Sequence, residues 1–190
     1  MVFKIGILIS GNGSNMLNII NACQTNFLSS EVKLVISSNS KAQGIKKARR
    51  KKINTLTIEE KKFHTKNHFE EEILKSLIKH DVNLLCLAGY MKILSKEFLK
   101  NWKYDILNIH PSLLPAFKGI DAPKQALDLG VKFSGCTVHY VNEDVDCGKI
   151  IDQRSVKVDK KESLTSLKKK ILKEEHKLYI NVIGKLEKEV

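Results

Sequence analysis

A chain of 190 residues with 42% hydrophobic content can bury one sizeable core but hardly two, so a single domain spanning 1–190 is expected. The net charge of +12 is almost wholly lysine, with arginine only at Arg49, Arg50 and Arg154. No aromatic residues interleave with these cations, which favours lysine-rich solvated faces over a nucleic-acid surface. No apolar run approaches the roughly 20 residues of a membrane span, and Cys23, Cys86, Cys136 and Cys147 form no C-x-x-C pair; the expectation is a cytoplasmic protein with free thiols and no metal site.

The chain opens on an apolar run at 3–9 that lacks the basic flank and cleavage site of a signal peptide and reads as a buried strand. It ends in Ser10-Gly11-Asn12-Gly13-Ser14-Asn15, and a helix of about 14–26 begins at once. Amides at such a helix start, with the macrodipole, form an anion site to which Ser14 and Asn15 add side-chain donors. A dinucleotide fingerprint needs a third glycine and an acidic residue closing the second strand; here stand Met16 and Ser37-Ser38-Asn39-Ser40. The lysine of a nucleotide-triphosphate loop is also missing, which leaves a phosphate monoester site, or the plain alternative of a tight turn that binds nothing.

Further strands at 32–37, 53–57, 83–88 and 105–109 alternate with helices at about 41–51, 66–80 and 95–101, the last starting at Ser95 with Glu97 in its first turn. This rhythm specifies an α/β fold, a Rossmann-like, doubly wound and mainly parallel sheet with helices on both faces. His64 and His68 form H-x-x-x-H without the glutamate of a zinc helix, so they carry little weight as ligands.

The fifth strand ends in Asn108-Ile109-His110-Pro111, where Asn108 and His110 share one face of the sheet at its carboxyl end. An amide and an imidazole converging there suit a reaction in which a carbonyl oxygen becomes negative. Ser112 lacks a nucleophile elbow and ranks low, as does a lone structural role for His110 once its polar neighbour is counted. A loop with Pro111, Pro115, Gly119 and Pro123 leads to a short helix near 123–129.

Strands at about 134–141 and 149–157 follow as an antiparallel pair, and a long amphipathic helix at 162–187 closes the chain with Leu164, Leu167, Ile171, Leu172, Leu178, Val182 and Ile183 as its stripe. His139, on the first of these strands, is the weaker imidazole and is expected behind the reacting groups. The turn between the strands offers Glu143, Asp144 and Asp146; one of them can pair with His110, and the residues alone do not say which.

Taken together, Ser10 to Asn15, Leu87-Ala88-Gly89-Tyr90-Met91-Lys92-Ile93-Leu94, Asn108 to Pro115 and Asp146-x-Gly148 resemble, in order and spacing, the glycinamide ribonucleotide formyltransferases of purine biosynthesis. The resemblance spans nearly the whole chain. It implies transfer of formyl from 10-formyltetrahydrofolate, a co-substrate, to the amine of glycinamide ribonucleotide, without metal, nucleic acid or membrane, by a monomer or homodimer. It assigns the substrate phosphate to Gly13, Ser14 and Asn15, substrate contact to Glu175, and the folate to Met91, Lys92, Ile93, Leu94 and Asn108, with Lys66 as a further folate contact. It makes Asn108, His110 and Asp146 the catalytic trio, in which Asn108 and His110 donate to the oxyanion and Asp146 holds His110 protonated. The pattern departs from the family at Cys147, where a second glycine is usual, and at Ile120-Asp121-Ala122-Pro123, which lacks histidines found in some relatives. Water or aminoacyl-tRNA as formyl acceptor is the alternative; such enzymes usually carry an extra domain before or after this one, and none is expected here. A non-catalytic nucleic-acid-binding module is a further alternative that uses the +12 charge and ignores Asn108 and His110.

Overall fold

A computed structural model describes residues 2–189. Among the described residues, seven strands form one sheet in the order β3-β2-β1-β4-β5-β6-β7: β1 (Lys4–Ile9), β2 (Glu31–Ser37), β3 (Thr55–Thr57), β4 (Leu84–Leu87), β5 (Ile106–His110), β6 (Phe133–Tyr140) and β7 (Ile150–Lys157). The first five are parallel, and β6 and β7 add antiparallel to β5. The expected doubly wound sheet with an antiparallel C-terminal pair is the observed one.

Alternation along β1 explains why both faces are covered. Ile5, Ile7 and Ile9 point into a core shared with α1 (Ser14–Gln24), α2 (Gln43–Arg50) and α6 (Leu164–Glu189). Leu8 points the other way, into a core closed by α3 (Lys66–Lys79) and α4 (Lys96–Asn101). The short α5 (Ala122–Asp128) packs against α6. Thr65 and Ser95 cap α3 and α4, their side chains accepting from His68 N and Phe98 N. Among the described residues no helix is long and apolar enough to cross a membrane.

Several boundaries differ from those expected. The third strand is confined to Thr55–Thr57, because Ile53 N–H bonds the Ala48 carbonyl and so belongs to the end of α2. Helix α1 stops at Gln24 because Asn26 turns left-handed, with φ 58°, and Phe27 N–H bonds back to the Ala22 carbonyl. A 3-10 turn at Glu60–Lys62 was not foreseen.

Strand order reverses between β1 and β4: the chain leaves β1 toward β2 on one side and later returns to β4 on the other. The carboxyl ends of β1 and β4 therefore diverge and open a crevice, the usual ligand position in such sheets. Helix α6 crosses behind it, tied to the sheet by the fully buried Tyr179, whose hydroxyl meets the Leu87 carbonyl at 3.1 Å and the Leu107 carbonyl at 3.0 Å. Glu175, one turn earlier on α6, is thereby turned toward the crevice.

Candidate active site

The crevice is a cleft of about 760 Å3. One end is the glycine loop after β1, where Gly13 precedes α1 with φ 66° and ψ 39°. A Cβ there would lie 3.1 Å from the Gly44 Cα, so both backbone conformation and close approach require glycine. The first-turn N–H groups of α1 have no partners within the helix. Asn15 and Glu175 meet beside the loop, Asn15 Nδ2 donating to Glu175 Oε2 at 2.9 Å. Both are buried, and Asn15 Oδ1 has no partner. Burial pushes the Glu175 carboxyl above its ordinary value, an effect the Asn15 bond partly offsets.

The other end is an apolar mouth. Met91, Ile93, Ile120 and Val145 line it and are 45% or more exposed, an unusual amount of large hydrophobic surface gathered at one opening. Lys92 also lines the cleft and is ion-paired with Glu60, while Leu94 reaches back into the α3–α4 core.

Between the two ends the polar groups converge. His110 Nδ1 lies 3.2 Å from Asp146 Oδ2, and the same oxygen accepts from Gly119 N–H at 2.8 Å. Asn108 Nδ2 is 3.5 Å from Asp146 Oδ1 and 3.2 Å from His139 Nε2. His139 pairs directly across from Asn108 in the β5–β6 ladder and is only 2% exposed. Burial pushes the Asp146 carboxyl up, but the His139 ring, the Gly119 N–H and the charge attraction of His110 outweigh it and hold the group below its ordinary value.

His110 does not aim a free N–H into the cleft, as had been expected. Its Nε2 is 2.8 Å from the Phe117 carbonyl. Both ring nitrogens thus face acceptors, which only a ring carrying both protons satisfies in full. The Phe117 contact arises because the chain folds back after Pro111, with left-handed residues at Phe117, Gly119 and Asp121.

Gly13, Ser14, Asn15, Met91, Lys92, Ile93, Leu94, Asn108, His110, Asp146 and Glu175 all line this one cleft. Lys66 does not; it sits in the first turn of α3, 3.8 Å from Glu70. Cys147, where the family usually has glycine, is not the left-handed residue of the turn; that residue is Asp146, with φ 52°. The glycine that the turn cannot replace is Gly148, where a Cβ would stand 1.7 Å from the Tyr140 carbonyl oxygen. Sequence reasoning missed the Phe117 carbonyl and the Gly119 amide, which are backbone groups with no side-chain signature. His139, expected behind the reacting groups, touches both Asn108 and Asp146. Its alternation with Thr137 on a strand was visible, but not the register that sets it opposite Asn108. His64 and His68 are exposed, and His64 lies outside α3, so they share no helical face. Among the described residues no group of three or more His, Cys, Asp or Glu is placed to hold a metal ion.

The formyl transferase family model matches residues 3–183. Phosphoribosylglycinamide formyltransferase of Bacillus subtilis (strain 168) is 39% identical over 183 residues, covering 96% of this chain and 94% of its own. A trifunctional purine biosynthetic protein, adenosine-3, of Gallus gallus is 41% identical over 176 residues; these span 93% of this chain but only 18% of that protein. The crystal structure of glycinamide ribonucleotide transformylase 1 from Symbiobacterium toebii superposes with a TM-score of 0.94 at 40% identity, covering 96% of this chain and 86% of the other.

Proposed function

The chain belongs to the formyl transferase family, and from that premise we propose that it transfers the formyl group of 10-formyltetrahydrofolate to the amine of glycinamide ribonucleotide, giving formylglycinamide ribonucleotide and tetrahydrofolate in purine biosynthesis. The observation that carries this reading is one continuous cleft with an anion-binding loop at one end, an apolar mouth at the other, and Asn108, His110 and Asp146 between them.

The phosphate of the ribonucleotide sits on the amides of Gly13, Ser14 and Asn15. Glu175 and the unpartnered Asn15 Oδ1 are acceptors beside it, suited to sugar hydroxyls. The folate enters by the mouth, its rings against Met91, Ile93 and Leu94. Donor carbon and acceptor amine then meet over Asn108, and holding them there converts a bimolecular encounter into a local one.

Attack of the amine on the formyl carbon makes a tetrahedral oxyanion, which accepts from Asn108 Nδ2. His110 Nε2–H turns from the neutral Phe117 carbonyl to the same oxyanion, because a charge-assisted hydrogen bond is roughly twice as strong as a neutral one. Each such donor is worth about 3–4 kcal/mol in the transition state. Asp146, ionised at neutral pH, keeps Nδ1 protonated and accepts the proton in transit from the attacking amine toward the departing folate nitrogen. No metal and no covalent enzyme intermediate enters these steps.

Water as acceptor would leave the phosphate loop and the Asn15–Glu175 pair without a role. Monomer or homodimer is the assembly proposed, with no nucleic-acid or membrane partner. Calorimetric titration tests the two-ended occupancy: the ribonucleotide and a non-reactive folate should bind independently, and inorganic phosphate should compete only with the former. Competition with neither ligand would remove the phosphate from the loop.

A further inference from the structure

The turn that carries the Phe117 carbonyl to His110 is anchored from two strands away. Thr137 stands opposite His110 in the β5–β6 ladder and is fully buried. Its hydroxyl donates to the Ser112 carbonyl at 2.7 Å and accepts from Leu114 N–H at 3.0 Å and from Gln153 Nε2 at 2.8 Å. One donation and two acceptances exhaust a hydroxyl, so the group has no freedom to rotate. Gln153 pairs with Thr137 in the β6–β7 ladder, and its Nε2 also donates to the Leu114 carbonyl at 2.9 Å. Ser112 Oγ then bonds the Ala116 carbonyl, one residue before Phe117.

The path is continuous: Gln153 and Thr137 clamp both backbone groups of Leu114, Ser112 closes the turn on Ala116, and the next carbonyl meets His110 Nε2 at 2.8 Å. Asp146 holds the other ring nitrogen. An imidazole held at one nitrogen can still swing freely about its χ2 torsion; held at both, it keeps one orientation until the stronger, charged oxyanion acceptor forms.

We propose that Gln153 is a positioning residue for His110: through Thr137 and Leu114 it fixes the 112–117 turn, and with it the Phe117 carbonyl that orients the imidazole for reaction. Gln153 lies on β7, outside the residues lining the cleft. Its amide has to donate twice toward acceptors, which neither an aliphatic side chain nor a carboxylate does.

The kinetic consequence rests on the function proposed above; the structural one does not, and the experiment separates them. Gln153→Leu keeps the size and removes the donor. In the substrate-free protein, the hydrogen-bonded Nε2–H proton of His110, followed by 1H–15N NMR on the ring, should shift or broaden away in the variant. In turnover, kcat should fall about 10-fold, the equivalent of one lost positioning hydrogen bond, with KM for the ribonucleotide unchanged. Thr137→Val should give the same ring signature, and the double variant should cost less than the sum of the two. Gln153→Glu supplies a second route should the leucine variant fail to fold. Its carboxylate cannot donate, but its acid form can donate once, so activity relative to wild type should recover in part as pH falls toward the ordinary carboxyl value of about 4.3. An unmoved His110 signal in a folded variant overturns the proposal even if wild type transfers no formyl group. A lower melting temperature with His110 and kcat unaltered overturns it too, as does a Gln153→Glu profile parallel to wild type.

Discussion

Asp146 Oδ2 lies 3.2 Å from His110 Nδ1, and the turn that delivers this carboxylate passes through a left-handed conformation at Asp146 itself. Glu143 and Asp144, in the same turn, are both exposed; Glu143 pairs with Lys96, and the Asp144 N–H donates a local turn bond to the Asn142 side-chain oxygen.

Asp146→Asn should therefore lose about 10²-fold or more in kcat near neutral pH, because it removes both the charge beside His110 and the proton acceptor. Glu143→Gln and Asp144→Asn should stay close to wild type. Steady-state kinetics on the three variants check the assignment, and equal losses in Asp144→Asn would move the role to that neighbour. The lowered Asp146 carboxyl also has a stability consequence. A depressed folded-state value stabilises the protein above the unfolded value and loses that contribution as pH falls below it. The acid limb of a pH–stability curve should accordingly be shallower in Asp146→Asn.

Asn108→Ala should lower kcat by about 10²–10³ with a smaller change in substrate affinity, since its amide matters mainly when the oxyanion has formed. A variant that loses affinity alone would reassign Asn108 to ground-state binding.

At Gly13 a valine meets Met16 and the Gly44 backbone in a left-handed residue. Gly13→Val should abolish measurable ribonucleotide binding while folate binding persists. Calorimetry with each ligand separates the two, and full ribonucleotide affinity in a folded variant would place the phosphate elsewhere.

Glu175 supplies a prediction of opposite sign. Burial raises its carboxyl, so the folded state keeps the proton to higher pH than the unfolded chain does. That contribution to stability is complete below the unfolded value and is lost as pH rises through the folded one. Glu175→Gln retains an acceptor for Asn15 Nδ2 and removes the buried charge. Its melting temperature at pH 7 should exceed that of wild type, and the difference should vanish in acid. Ribonucleotide affinity should fall about 10-fold. A variant less stable than wild type at neutral pH would show that Glu175 is held ionised by groups other than Asn15.

Much of this was legible in the chain because it depends on period and punctuation. Asn108 and His110 share a face by the two-residue repeat of a strand, and Gly11-Asn12-Gly13 sits where a strand gives way to a helix. Ser95 announced α4 by its capping chemistry. What stayed hidden depends on where the chain returns. The choice of Asp146 over its neighbours came from resemblance, since nothing local predicts a left-handed aspartate or the approach of Gly148 to Tyr140. The bond from His110 to Phe117 requires a seven-residue loop to close on itself, and the contact of His139 with Asn108 requires the β5–β6 register. Lys66 was placed by resemblance alone; its ammonium lies 3.8 Å from Glu70, and the residue is not among those lining the cleft.

Turnover of 10-formyltetrahydrofolate by the purified protein, with glycinamide ribonucleotide present or absent, tests the central claim most directly. The account predicts that tetrahydrofolate forms only with the ribonucleotide and that the formyl group is recovered on its amine. Equal turnover without the ribonucleotide, with formate released, would contradict it and make water the acceptor.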